Sequence, residues 1–340
     1  MPVGWRLRAR PEDFVVDEVP LFEPSGEGGH TYVHVEKRLR TTEQVARWLA
    51  RSAAVSPRDV GYAGRKDRVA VTRQWFSVPG LSPDVARSLA DEGVRVLDAI
   101  PHGHKLRTGA LRGNRFTLRV SEVSEAALAG APARLEELVA RGVPNRFGAQ
   151  RFGRTGDNAE QARALLLPGA RVRDRRQARF LISALQAEVF NRVLEARRGR
   201  EGTLLAGDVA VVCASGGPFV VEDPARDQPR ADAFEISPTG PIFGNRVIEP
   251  AGEVAAREKA ALESRGICLT DLRPPRGIRL RGARRALRVR PDNAQMRDFP
   301  GGFWLEFELP PGSYATVLIR AVLGEEPEVG PQTIAGDMPL

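Results

Sequence analysis

An α+β fold with a mostly antiparallel sheet is what this chain predicts, on three observations. Helical and extended segments are both plentiful, but they do not follow the strict strand-helix-strand alternation of a doubly wound parallel sheet. The stretches "FTLRV" (116–120) and "FWLEFEL" (303–309) alternate apolar and polar residues, as strands do when one face of their sheet is wet. Glycine and proline, 34 and 26 in 340 residues, favour a loop-rich mixture over a helical bundle.

Strands are expected at "DFVVDEV" (13–19) and "HTYVHVEK" (30–37). A helix follows over "TTEQVARWLARSAAV", opened by a Thr41-to-Gln44 capping box and carrying Val45, Trp48 and Leu49 on one face. "QWFSV" (74–78) reads as a strand. "SPDVARSLADEG" reads as a helix with Ser82 as cap, Pro83 at the first helical position and Gly93 as stop. After the strand "NRFTLRV" (114–120), "RLEELVARG" is a helix ending at Gly142. Another helix starts at Asp157 or Asn158 and stops before Pro168. The longest helix is capped by Asp174 and closed by Arg197-Arg198-Gly199. "DVAVVCA" (208–214) is a strand, the polar "EDPARDQPRAD" (222–232) a loop, and 252–265 a helix ended by Gly266. "YATVLIRAVL" (314–323) fits strand and helix equally.

The composition, 42% hydrophobic and 28% charged, is that of an ordinary globular protein. The longest apolar runs, such as "VAVVCA", are far short of the roughly 20 residues a spanning helix needs. The first residues, "MPVGWRLRARPEDF", are charged and lack the apolar core of a signal peptide. Cys213 and Cys268 make neither a CxxC unit nor a disulfide framework. A cytoplasmic protein is expected.

The formal charge is +8, and only four of the 51 cations are lysines: Lys37, Lys66, Lys105 and Lys259. The guanidinium fork suits phosphates and stacks on bases, so the excess points to nucleic acid. A GC-rich genome writes the same bias, so position must carry the argument. The arginines cluster at 171–179, at 273–290 (eight in eighteen residues, with no acid among them) and along "HKLRTGALRGNRFTLR" (104–119). An acid-free basic run is what a polyanion contact looks like. Lys105, Arg107, Arg151, Arg281, Arg284 and Arg285 are the candidate RNA contacts.

Standard catalytic signatures are missing. There is no GxxxxGK[ST], "GEGG" (26–29) lacks the dinucleotide-binding spacing, "HGH" (102–104) has no third ligand nearby, and there is no GxSxG. No metal or cofactor is expected. What remains is "GYAGRKDR" (61–68), where one carboxylate sits among three cations behind two glycines. The cations favour the ionised acid, which could act on a nucleotide as nucleophile or base. A surface ion pair in a turn has the same sequence. Downstream, "PNRFGAQRFGRTGDN" (144–158) repeats Arg-Phe-Gly, and ring and guanidinium planes are what hold splayed bases in RNA sites.

"GYAGRKDRVAVTRQW", followed by "NRFGAQRFG", resembles the TruD family of tRNA pseudouridine synthases. The similarity runs along nearly the whole chain. It includes "PEDFVVDEV" (11–19), "FEPSGEGGHTYVHVEK" (22–37), "KLRTGALRGNRFTL" (105–118), "LISALQAEVFNRVL" (181–194), "GARRALRV" (282–289) and "LPPGSYATVLIR" (309–320). The resemblance implies isomerisation of a uridine, at tRNA position 13, by one aspartate without metal or organic cofactor. The matching acid is Asp67. Phe14, Asn145 and Tyr314 match substrate contacts, Phe147 the aromatic near the target base, and Lys66 the lysine before the nucleophile. Lys66 is expected to pair with Asp67 or a phosphate. Tyr314 stands where the family usually has Phe, and Arg8 where a member can carry Lys.

The fold implied is a pseudouridine-synthase catalytic domain, residues 1–168 and 289–340, split by an inserted α/β domain at 169–288. tRNA is the expected partner, with no membrane and no obligate protein partner, and the chain is expected to be a monomer. The rival reading is an RNA-binding or RNA-chaperone protein on the same scaffold, which would need the arginines but not Asp67.

Overall fold

The computed structural model describes residues 4–153, 155–166, 172, 174–270, 272 and 274–325. Among these, contacts divide the chain into one unit of residues 4–132 and 291–312 and a second of 133–290 and 313–325. The stretch expected as an insert lies within the second unit, and its expected start at 169 falls outside the described residues. No helix of the described residues is long and apolar enough to cross a membrane.

The first unit is built on a ten-stranded sheet. Its main order is Asp292–Phe299, Gly302–Leu309, Leu111–Ser121, Phe14–Pro20, Val71–Pro79, His30–Arg38, Val94–His102 and Ala90–Asp91. Arg6–Leu7 adds to the Leu111–Ser121 strand and Gly61–Tyr62 to Val71–Pro79. Every described pairing in this sheet is antiparallel except that of Phe14–Pro20 with Val71–Pro79, where Val15 lies opposite Val71. The expected α+β, mostly antiparallel architecture is therefore present. One face of the sheet packs Val33, Val35, Phe76 and Val78 against Val45, Ala46 and Leu49 of the helix Thr42–Ser52. That helix has the expected capping box, with the Thr41 hydroxyl accepting from the Gln44 amide.

In the second unit, the helix Arg175–Glu195 buries Leu181, Leu185, Val189 and Phe190 against neighbouring helices and a four-stranded sheet. The sheet order is Pro218–Val220, Val209–Val212, Ile236–Ile242 and Ala283–Ala286. Asp174 caps the long helix, accepting from the amides of Arg176 and Gln177 at 2.7 and 3.2 Å. Asp174→Ala should cost about 1 kcal/mol, measured as a lowered midpoint in denaturant unfolding.

Two expectations need correction. The helix opened by Ser82 stops at Ser88, because Leu89 is already extended; Gly93 then turns a hairpin between Ala90–Asp91 and Val94–His102. The polar stretch 222–232 is not a loop. It holds a helix, Pro224–Asp232, started by the Asp223 cap and a first-turn proline. That helix buries a narrow stripe centred on Ala231, too little apolar surface to register as periodicity. Two further segments are resolved by the structure. "ISPTGPI" (236–242), with two prolines and a glycine, is a strand with partners on both sides. The ambiguous 314–323 is a helix, Ala315–Leu323.

Candidate active site

The segment Gly61–Arg68 leaves the sheet edge after Tyr62 and runs without regular structure past Asp67. Gly61 is required where the chain departs: a Cβ there would lie 2.3 Å from the Leu106 carbonyl oxygen and 2.5 Å from Ser77 Oγ. Gly64 meets no such crowding, so its freedom is not a matter of close approach.

Four buried or half-buried side chains from different elements hold the main chain and the lysine of this loop. Gln74 Nε2 donates to the Gly64 carbonyl at 3.1 Å, and its Oε1 accepts from the Thr42 hydroxyl. The same hydroxyl accepts from the Lys66 amide at 3.0 Å. Lys66 Nζ reaches Glu18 Oε2 at 2.6 Å, with the side chains only 4% and 1% exposed. Lys37 Nζ donates to the main-chain carbonyl of Asp67 at 2.6 Å. A loop without a ladder of its own must find partners for its backbone groups elsewhere, and here the partners are side chains.

The Asp67 carboxylate is left half-exposed, its side chain 46% accessible, and accepts from Arg8 Nη2 at 2.9 Å. The Arg8 guanidinium lies over the Phe14 ring, 3.9 Å from the centroid. Its backbone is left-handed, at φ 69°, a conformation that costs a non-glycine residue of order 1–3 kcal/mol and recurs at functional sites. Phe14 is buried beneath it. Asp67 is thus the one carboxylate of this loop turned outward, and Arg8 holds its negative charge. Lys66, which was expected to pair with Asp67 or a phosphate, is engaged by Glu18 instead.

Phe14, Lys66 and Asp67 belong to the first unit; Asn145, Phe147 and Tyr314 belong to the second. Within the second unit the latter three come together. The rings of Phe147 and Tyr314 meet edge-on at 6.0 Å, and Phe147 meets Phe190 at 5.5 Å. A Cβ on Gly148 would sit 3.2 Å from the Tyr314 ring, so the glycine of "RFG" makes room for that tyrosine. Asn145 Nδ2 donates to the Ala286 carbonyl, and its Oδ1 accepts from Arg285 at 2.5 Å and from the Ser313 hydroxyl at 3.3 Å. The Arg285 guanidinium lies 4.1 Å from the Phe147 centroid, with Arg151 at 5.6 Å. Burial, opposed by Tyr314 and aided by Arg151, lowers the Arg285 pKa to about 10.

The arginines of 273–290 divide by burial. Arg284, 3% exposed, forms a two-point ion pair with Glu258 at 2.6 and 2.9 Å and also donates to Thr239. Arg288 donates to the Arg141 and Ala231 carbonyls. The run has no acid of its own; the one that pairs with Arg284, Glu258, comes from the helix Gly252–Glu263. Arg281, Lys105 and Arg107 are exposed, with Lys105 Nζ donating to the Arg58 carbonyl at 2.5 Å.

Glu18 and Lys37 were not anticipated, and Arg8 was noted only as an exchange of one cation for another. A signal did exist for Lys37. In a chain with 47 arginines and four lysines, two of the lysines, Lys37 and Lys66, end up buried around Asp67. A compact ammonium fits a closed site where a guanidinium fork does not.

Comparison with known proteins finds relatives along nearly the whole chain. The family model described as tRNA pseudouridine synthase D matches residues 1–169 and 168–322. A protein of Anaeromyxobacter sp. (strain Fw109-5) named tRNA pseudouridine synthase D is 48% identical over 328 residues, covering 94% of this chain and 93% of the relative. A protein of the same name from Thermus thermophilus is 42% identical over 327 residues, covering 95% and 90%. A crystal structure of a putative tRNA pseudouridine synthase D from Methanosarcina mazei superposes with a TM-score of 0.71 at 22% identity, covering 96% of this chain and 95% of that one. At that identity, the likeness is one of fold.

Proposed function

The chain belongs to the tRNA pseudouridine synthase D family, and from that premise we propose that it isomerises the uridine at tRNA position 13 to pseudouridine with Asp67 as its single catalytic carboxylate. The observation that carries the reading is Asp67 itself: a half-exposed carboxylate, charge-paired to Arg8, on a loop whose Lys66 side chain and Asp67 carbonyl are held from within.

The target uridine leaves its stack at a cost of a few kcal/mol. Asp67 then either attacks the ribose C1′ or removes the C2′ proton to give a glycal; the N1–C1′ bond breaks in both routes. The freed uracil turns and its C5 bonds to C1′, displacing the Asp67 carboxylate in the first route or with the proton returned to C2′ in the second; the C5 hydrogen departs as a proton and N1 takes one up. Atoms balance with no added reactant. Phe14, Asn145, Phe147 and Tyr314 are assigned to substrate contact. Lys66, held by Glu18, serves by fixing the loop rather than by touching RNA. The exposed Arg281, Lys105 and Arg107 are assigned to phosphates, together with Arg151. Arg284 and Arg285 are committed to Glu258 and Asn145. The segment 169–288 is proposed as the family's insert, and the chain as a cytoplasmic monomer.

The test uses purified protein and tRNA transcripts carrying 5-tritiated uridine. One tritium released per tRNA, with chemical mapping of the new pseudouridine to position 13, is the expected result. Tight binding without release would favour the RNA-binding alternative.

A further inference from the structure

Lys37 is the most enclosed cation near Asp67, 1% exposed, and its ammonium points at neither solvent nor the Asp67 carboxylate. It donates to the main-chain carbonyl of Asp67 itself, at 2.6 Å. We infer that Lys37 is a positioning residue for the reaction: its ammonium grips the backbone of the reacting aspartate and so sets where the carboxylate is presented. The inference rests on the reading of Asp67 as the reacting group.

Three features support it. The other fixings of the loop act on Ala63, Gly64, Arg65, Lys66, Arg68 and the Asp67 carboxylate, so Lys37 is the described side chain that holds residue 67 by its backbone. Its own seat is rigid. Lys37 lies in the strand His30–Arg38, between Thr72 and Val94 of the flanking strands, at the end of the apolar face that packs on the helix Thr42–Ser52. And a buried charge is costly to keep unless it is used. Replacing a lysine here by an apolar side chain would be the cheaper solution for stability alone.

The charge is also poised to titrate. Burial lowers the Lys37 pKa to about 8; Asp67 and Glu43 pull it back up, and Lys66 pushes it further down. Lys66 is neutralised by Glu18, and Glu43 is shared with Arg65 at 2.5 Å. The flanking strands place the uncharged Thr72 and Val94 opposite. The sign is fixed by the cationic acid: the ammonium is present below about pH 8 and lost above it. A neutral amine still donates, but a charge-assisted bond is about twice as strong. Positioning therefore weakens on the alkaline side.

Single-turnover tritium release at saturating enzyme, from pH 6.5 to 9.5, tests this on wild type, Lys37→Met and Lys37→Gln, with tRNA affinity from filter binding. Wild type should slow above about pH 8. Lys37→Met should be slower by about 100-fold at pH 7, the scale of a misplaced reacting group, with affinity within about threefold. Lys37→Gln, a neutral donor, should lie between them and lose the alkaline limb. If Lys37→Met turns over within twofold of wild type, or if the limb persists in Lys37→Gln, the inference is overturned. Should Lys37→Met fail to fold, Lys37→Gln alone decides through its pH profile. Asp67→Asn run in parallel separates the two levels: full rate there overturns the underlying reading, whereas loss there with full rate in Lys37→Met overturns only the role of the lysine.

Discussion

Asp67→Asn is expected to abolish tritium release, lowering the single-turnover rate by at least about 10⁴-fold, the scale seen when a reacting side chain is removed. The substitution keeps the volume and leaves one oxygen for Arg8 to bind at the position it now occupies. It removes the anionic carboxylate that either chemical route requires. Binding should move the other way, if at all. The formal charge is already +8, and losing one carboxylate beside phosphates makes the surface more positive. Filter binding should therefore give a tRNA affinity equal to or tighter than wild type. Activity retained by Asp67→Asn would remove Asp67 from the chemistry.

Lys66→Met should produce the largest loss of stability of any substitution considered, about 3–5 kcal/mol, as for other buried pairs that lose one partner. Its partner Glu18 is 1% exposed. Without the lysine, that carboxylate keeps, among the described residues, the Trp75 amide at 3.3 Å. The measurement is a denaturant titration, with Glu18→Gln/Lys66→Met as the fourth corner of a double-mutant cycle. The double variant should recover most of the loss, because no unpaired charge remains buried. The exposed pair Arg141–Glu137 provides the contrast, expected to contribute under about 1 kcal/mol. A Lys66→Met loss as small as that would show the Glu18 carboxylate to be hydrated.

Much of the fold was legible because its signals are local. Thr41 and Asp174 cap their helices as their neighbours in sequence suggest, and the alternation of "FWLEFEL" places Phe303, Leu305 and Phe307 inside. What escaped depends on partners distant in the chain. The segment holding Pro238 and Pro241 carries no strand signal, because proline disfavours a strand interior, yet its strand is fixed by pairing with 210–212 and 283–286. Arg284 read as a phosphate ligand because Glu258, its partner, lies 26 residues upstream. In the site, Asp67, the acid of "GRKD", is singled out by the family resemblance, since a surface ion pair in a turn has the same local sequence. Arg8, Glu18 and Lys37 come to its loop from 59, 48 and 30 residues away, and no spacing rule joins them.

The strand Leu111–Ser121 is flanked on one side by Phe14–Pro20 and on the other by Gly302–Leu309, with Phe116 stacked on Phe307 at 5.2 Å. On a ribosome these neighbours do not arrive together. About 180 residues separate Ser121 from Gly302, and at about 5–20 residues per second they take roughly 10–40 s to emerge. For that interval the growing chain carries an unpaired strand edge with aromatic side chains beside it, the kind of surface that seeds association between chains. The whole of 133–290 is translated before the sheet can close, so this protein's dependence on folding helpers should be greatest during its own synthesis.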